Sequence, residues 1–316
     1  MAPLPFNKDL LMRFQSLFCP TTDQHQLHVM HISQSASQGV PILMIHGMCE
    51  DGHIFYHESG KGLACYLAQK GFDVYVADLR GIGKSTPKIG RHCHHGQTET
   101  ITEDIPQLIE FVKQHSYQSH LHLAAHSWGG VNINSCLLRR PDLIPCVLSN
   151  VYFGSKRSVR AKTFNRYLMI NLFCNNILRL LGKIHGYVPA VKYKLSSGDT
   201  TAKTHVQCVD WVKKDNWIDT DDGFNYGQAA KTVTLPPTLY YAAINDLSLG
   251  HRFDVQNFLK ESGNHKHQYG LLGTKNGNAL DYDHNNMLTA EECLTDHFPN
   301  VLDWFNRHEM LDGKLT

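Results

Sequence analysis

Ser127 stands in Ala125-His126-Ser127-Trp128-Gly129, with small residues two places before and two places after it. A nucleophile on a sharp strand-to-helix turn needs that pattern, because the strained turn lets strand and helix approach only where side chains are small. The chemistry open to such a serine is attack on an acyl carbon once a neighbouring base takes its proton. Trp128 would then begin a helix, whose N-terminal N–H groups carry partial positive charge suited to a developing oxyanion. Well upstream, His46-Gly47-Met48 closes an apolar run. Gly47 lets the backbone fold back over the serine, so that the Met48 N–H becomes a second oxyanion donor, while His46 reads as a structural hydrogen-bonding residue. The rival reading, a serine loop that only looks like such a turn, is disfavoured by the flanking elements.

Those elements are strands and helices in alternation. Val40-Pro-Ile-Leu-Met-Ile45 and Val74-Tyr-Val-Ala77 are short apolar runs, and Gly60 to Gly71 between them has helical spacing. Ile101, Ile105, Leu108, Ile109 and Val112 keep one apolar helical face, for which Thr100 and Glu103 offer a capping box. A strand at Leu121 to Ala125 leads into the serine turn and a helix through Leu137 and Leu138, and Pro145 to Tyr152 reads as the next buried strand. Near-continuous apolar strands with helices between them imply a parallel sheet covered on both faces. The rhythm stops over 155–233, where a basic start (Lys156, Arg157, Arg160, Lys162) precedes an apolar helical stretch from Tyr167 to Leu181. It returns with a strand from Thr238 to Ile244, a helix around Val255 to Leu259, a strand near Gln268 to Leu272 and a last helix around Val301 to Phe305.

A chain of 316 residues with 42% hydrophobic and 19% charged residues can bury one substantial core, which argues against disorder. Thirty Lys plus Arg against 29 Asp plus Glu leave +1, no field for a polyanion, so nucleic acid is not an expected partner. No apolar run approaches the ~20 residues of a membrane span, and Lys8, Asp9 and Arg13 break up any secretory leader, so a cytoplasmic location is expected. Nine scattered cysteines, an odd number often set in apolar stretches, read as buried free thiols rather than a disulfide framework.

Together with Asp78-Leu-Arg80-Gly81-Ile-Gly83-Lys-Ser85, similar to an Asp-x-Arg-Gly-x-Gly-x-Ser turn, these motifs resemble the α/β-hydrolase superfamily, in its capped lipase, esterase and serine-aminopeptidase-like branch. The resemblance covers nearly the whole chain, with Ala125 departing from the family's usual glycine. It implies an α/β-hydrolase fold with a mostly parallel central sheet flanked by helices and a helical cap inserted after strand six. The core would be 1–154 and 234–316, and the cap 155–233. The family's order of nucleophile, acid, histidine points to Asp246, at the end of Ala243-Ile-Asn-Asp246, ahead of Asp254 in the following helix. It points likewise to His284 in Asp281-Tyr-Asp-His284-Asn-Asn-Met-Leu288, ahead of His251, His265, His267, His297 and His308. The implied catalytic set is Ser127, Asp246 and His284, with the Met48 and Trp128 N–H groups as oxyanion donors. It needs neither metal nor organic cofactor, and its substrate would be a small ester with an apolar acyl chain.

Three other readings stay open. Asp281, Asp283, Asn285 and Glu292 have the spacing of an EF-hand loop, but Asn286 stands where that loop needs glycine and no helix leads in. Arg91-His-Cys-His-His95 holds zinc-type ligands, yet adjacent residues converge poorly on one tetrahedral ion. The same machinery serves a thioesterase, or an aminopeptidase in which Asp219, Asp221, Asp222 or Glu50 takes the free amine; otherwise the acidic run is a solvated turn. Outside enzymes, a catalytically silent hydrolase-fold receptor would have no need of the complete Ser, acid and His set.

Overall fold

In the computed structural model, which describes residues 12–34 and 39–312, one sheet is built from β1 (Met12–Pro20), β2 (Gln26–Gln34), β3 (Pro41–Ile45), β4 (Asp73–Ala77), β5 (Leu121–His126), β6 (Val147–Phe153), β7 (Thr238–Ala243) and β8 (His267–Leu272). Lys8 and Asp9 lie outside the described residues. The strand order is β1-β2-β4-β3-β5-β6-β7-β8, antiparallel at β1-β2 and β2-β4 and parallel from there on. Side chains alternate between the two faces. In β3, Leu43 and Ile45 join one apolar cluster with α2 (Ile105–Ser116), α3 (Trp128–Arg139) and α5 (Arg252–Glu261). Ile42 and Met44 join the other with α1 (Leu63–Gln69) and α6 (Phe298–Asp312). Both layers come from one unbroken apolar run, each buried side chain contributing roughly 1.5–3 kcal/mol.

Chain order reverses between β3 and β5, whose residues Ile45 and Ala125 pair. In parallel sheets the crevice beyond the strand ends at such a point is where ligands bind. The turns after these two strands are His46-Gly47-Met48 and Ser127, so two motifs 80 positions apart in sequence become neighbours.

Several sequence expectations change. The β1-β2 hairpin was not legible as paired strands, since its outer strand is largely exposed and lacks an apolar run. Thr100 and Glu103 do not form a capping box. The helical backbone starts earlier, at Gln97, where Glu99 accepts from Gly96 N–H at 2.6 Å, and Glu103 instead accepts from Arg80 at 2.9 Å. Pro141–Cys146 is a 3-10 turn, which postpones β6 to Val147.

Between β6 and β7 lie a helical run made of Phe164–Arg166, a π-helical Tyr167–Leu178 and Arg179–His185, a short strand pair (Tyr187–Val188 with Thr200–Thr201) and α4 (Ala202–Lys213). The basic start of this segment stitches it down. Arg157 is fully buried, donates to both Glu261 carboxylate oxygens at 2.8 Å and reaches the Trp211 and Lys214 carbonyls. Asp254 accepts from the Arg160 N–H at 2.7 Å, so it serves this joint rather than a histidine. The acidic run is not simply solvated: Asp219 is buried and accepts from Tyr226 Oη at 2.7 Å and Thr98 Oγ1 at 2.8 Å.

Candidate active site

Ser127 has φ 50° and ψ −121°, a left-handed region that L-residues avoid and that a sharp strand-to-helix turn imposes. Its N–H donates to the Phe153 carbonyl at 2.7 Å, anchoring the turn to β6. Gly129 is required by close approach, since a side chain there would drive into the Ile45 and His46 carbonyl oxygens. Ala125 is fully buried, so the family's glycine is replaced without opening the packing. Gly47 lies directly over the serine: a Cβ on it would sit 2.8 Å from Ser127 Cβ. Met48 follows on the turn and Trp128 opens α3, and both line the same cavity as Ser127. His46 holds the turn as expected, its Nε2 accepting from Leu79 N–H at 3.0 Å and its Nδ1 donating to the Gly47 carbonyl at 2.7 Å.

His284 and Asp246, 38 residues apart, are brought together at 2.5 Å between Nδ1 and Oδ2. Asp246 also accepts from the Leu249 N–H at 2.9 Å. Burial raises its carboxyl, but the His284 ring and the backbone donors outweigh that and hold it at about 2, an anion. Burial pushes the His284 imidazole down, Asp246 pulls it up, and the His126 charge adds to burial, leaving it below its ordinary value. With Nδ1–H facing the carboxylate, Nε2 is left as the basic nitrogen.

A second pair lies behind the first and was missed in the sequence. His126 Nδ1 is 2.6 Å from Glu50 Oε1, its Nε2 is 2.9 Å from the His284 carbonyl, and its ring centroid is 4.6 Å from that of His284. Both partners can only accept, so only the doubly protonated ring satisfies them. Burial opposes this charge, yet Glu50 prevails and His126 stands above its ordinary value. Burial likewise opposes ionisation of Glu50, and His126 with the Gly47 N–H holds it at about 2. Glu50 therefore bonds the glycine that carries the Met48 turn, and is not free to take an amine. The neighbour of the serine in the pentapeptide was the available signal.

Ser127 and His284 open on a cavity of about 400 Å3. Met169, Ile170, Phe173, Cys174 and Leu178 of the helical run roof it, while Tyr167, Leu168 and Ile177 of the same apolar stretch are exposed. Val209 and Val212 of α4 contribute, and the Cys49 carbonyl accepts from Gly198 N–H at 2.9 Å and from Ser196, tying the segment to the Met48 turn. Asp219, Asp221 and Asp222 do not line the cavity. The other sequence candidates disperse. Asp281 accepts from Thr274 and Asp283 from the Asn285 and Asn286 N–H groups. Cys93 turns inward to the Lys88 carbonyl, and no group of three or more His, Cys, Asp or Glu among the described residues is placed to hold a metal ion. His297 Nε2 donates to the Met287 carbonyl at 2.7 Å and His265 Nε2 lies 3.0 Å from Tyr240 Oη, away from Asp246. All nine cysteines are free, as expected. No helix among the described residues is long and apolar enough to cross a membrane.

A family model described as alpha/beta hydrolase fold matches residues 40–165. A probable aminopeptidase of Bacillus subtilis is 38% identical over 73 residues, 23% of this chain and 22% of that protein, so the match spans about a fifth of the curated relative's length. Among solved structures, the 2-hydroxy-6-oxo-6-phenylhexa-2,4-dienoate hydrolase of a Rhodococcus species superposes with a TM-score of 0.61 at 13% identity, covering 94% of this chain and all of that one. A carboxylesterase of Bacillus subtilis gives 0.56 at 16% identity, covering 93% and 92%. At such identity the likeness carries the fold. With the eight-stranded sheet and the family match across its central motifs, these likenesses show that the chain has the alpha/beta hydrolase fold.

Proposed function

We propose that this protein is a serine hydrolase that cleaves carboxylic esters through an acyl-enzyme. The observation that carries the reading is the strained Ser127 beneath Gly47, sharing a cavity with a His284 that is bonded to Asp246 at 2.5 Å. In the mechanism, His284 Nε2 takes the Ser127 proton as Oγ attacks the acyl carbon, and Asp246 holds the ring in the tautomer that makes this possible. The Met48 and Trp128 N–H groups receive the oxyanion. His284 then protonates the leaving alcohol, and water repeats the cycle to release the acid. Residues 155–233 act as the cap over core segments 1–154 and 234–316, roofing an apolar acyl site with Ile170 and Leu178.

The aminopeptidase alternative finds no free acceptor for the amine among the described residues, where Glu50 is the one carboxylate lining the cavity and is already paired with His126. Thioesters would use the same residues. A panel of acyl esters, thioesters and aminoacyl amides, assayed with wild type and Ser127→Ala, tests the reading. Ester turnover lost in the variant is expected. Turnover of amides alone, or esterase activity that survives the substitution, would overturn it.

A further inference from the structure

Three of the four cations at the start of the inserted segment have ordinary explanations: Arg157 and Arg160 bond Glu261 and Asp215, and Lys162 faces solvent. Lys156 does not. It leaves the carboxyl end of β6 beside the site, is 7% exposed, lines the cavity shared by Ser127 and His284, and has no carboxylate within 4.0 Å among the described residues. Its ammonium lies 5.5 Å from the Trp128 ring centroid, a cation–π contact that returns only part of what desolvating a cation costs. Asp254 feels its charge but spends its oxygens on the Arg160 and Ala161 N–H groups. Glu50, also on the cavity wall, is neutralised by His126. The cavity thus holds one uncompensated positive charge in a mainly apolar lining.

A second group points to the same kind of ligand. His205, on α4, lines the cavity, is 3% exposed, and neither of its ring nitrogens makes a well-formed hydrogen bond, the Cys174 backbone offering the ring only a weak one. Burial pushes its imidazole down to about 4, so it is a neutral ring with one N–H to give. Buried polar atoms without partners are rare in folded proteins and call for a ligand or water to complete them.

We propose that Lys156 and His205 form an anion subsite in this cavity, so that the substrate is a small ester bearing a carboxylate remote from its scissile bond. This deepens the ester-hydrolase reading and rests on it for the reaction, but not for the binding. The apolar lining takes the intervening methylenes, and Lys156 takes the charge.

Binding to the Ser127→Ala protein separates the two ideas. Monoethyl adipate, with the charge on the acid side, and the butanoyl ester of γ-hydroxybutyrate, with it on the alcohol side, are compared by calorimetry with neutral ethyl heptanoate. At least one charged ester is expected to bind roughly tenfold tighter or more than the neutral one, the size of a charge-assisted hydrogen bond. Which of them does so tells the side on which the carboxylate lies. Adding Lys156→Met should erase that preference, and Lys156→Arg should keep it; a thermal melt of each variant checks folding. Equal binding of all three esters, or a preference that survives in a folded Lys156→Met protein, overturns the subsite. If charged esters bind selectively but wild type turns none over, the hydrolase reading falls and the subsite stands. Turnover of neutral esters without selectivity gives the converse.

Discussion

Replacing Glu50 by glutamine keeps the side chain's shape and removes its charge from the pair behind His284. A carboxyl held at about 2 in place of its ordinary 4.5 favours the folded state, when ionised, by about 3 kcal/mol. With 16% of the side chain exposed, solvent screening discounts this little. The pH window follows from the two shifts. The lowered Glu50 contributes fully above its unfolded value and loses that contribution as pH falls through 4.5 toward 2. The raised His126 contributes fully below its unfolded value near 6.5 and loses it as pH rises through its higher folded value. The pair is therefore worth most between about pH 4.5 and 6.5. Urea unfolding at pH 6 should show Glu50→Gln less stable by about 3 kcal/mol, with the difference shrinking at pH 3. Turnover should fall too, because the Gly47 N–H loses an anionic acceptor and the Met48 turn loosens. A penalty under 0.5 kcal/mol at pH 6, or one equal at pH 3 and pH 6, would refute the reasoning.

Because His284 is held below its ordinary value, the rising limb of kcat/KM against pH should have its midpoint below 6.5, and a midpoint above 7 would contradict the assigned base. His284→Ala should cost roughly 10^4-fold in kcat, and Asp246→Asn somewhat less, since members of one catalytic unit act non-additively; stopped ester assays that find Asp246→Asn silent would remove it from the unit. For neutral esters, kcat/KM should rise from acetyl toward medium chains by up to ~0.8 kcal/mol per methylene until the 400 Å3 cavity is filled. Leu178→Asp, on the buried roof, should flatten that series, and an unchanged slope in the folded variant would place the chain elsewhere.

The central fold was legible because its strands are buried on both faces and therefore appear as short continuous apolar runs, as in Ile42 to Ile45. The β1-β2 hairpin carries no such mark, because its outer strand is half solvated. The helix capping was misread because Thr100 and Glu103 suit a cap by type, whereas their neighbours Gly96 and Glu99 occupy the first turn. At the site, the small residues around Ser127 encode a backbone strain that any reader of turns can see. The His126–Glu50 pair has only the histidine beside Ser127 as a local mark, and it exists because β3 and β5 are adjacent. Lys156 looked like one charge in a basic run, and both it and Arg157 are buried; what separates them is that Arg157 finds partners more than 50 positions away whereas Lys156 has no carboxylate beside it among the described residues. The apolar stretch from Tyr167 to Leu181 suggested one covered face, but the π-helical turn spreads it, leaving Tyr167 and Ile177 outside.

Covalent labelling by a fluorophosphonate, located by peptide mass spectrometry, addresses the nucleophile without assuming a substrate. One phosphonyl group on Ser127 is expected, absent in Ser127→Ala and slowed in His284→Ala. An unlabelled wild type, or a label that persists in Ser127→Ala, would contradict the account.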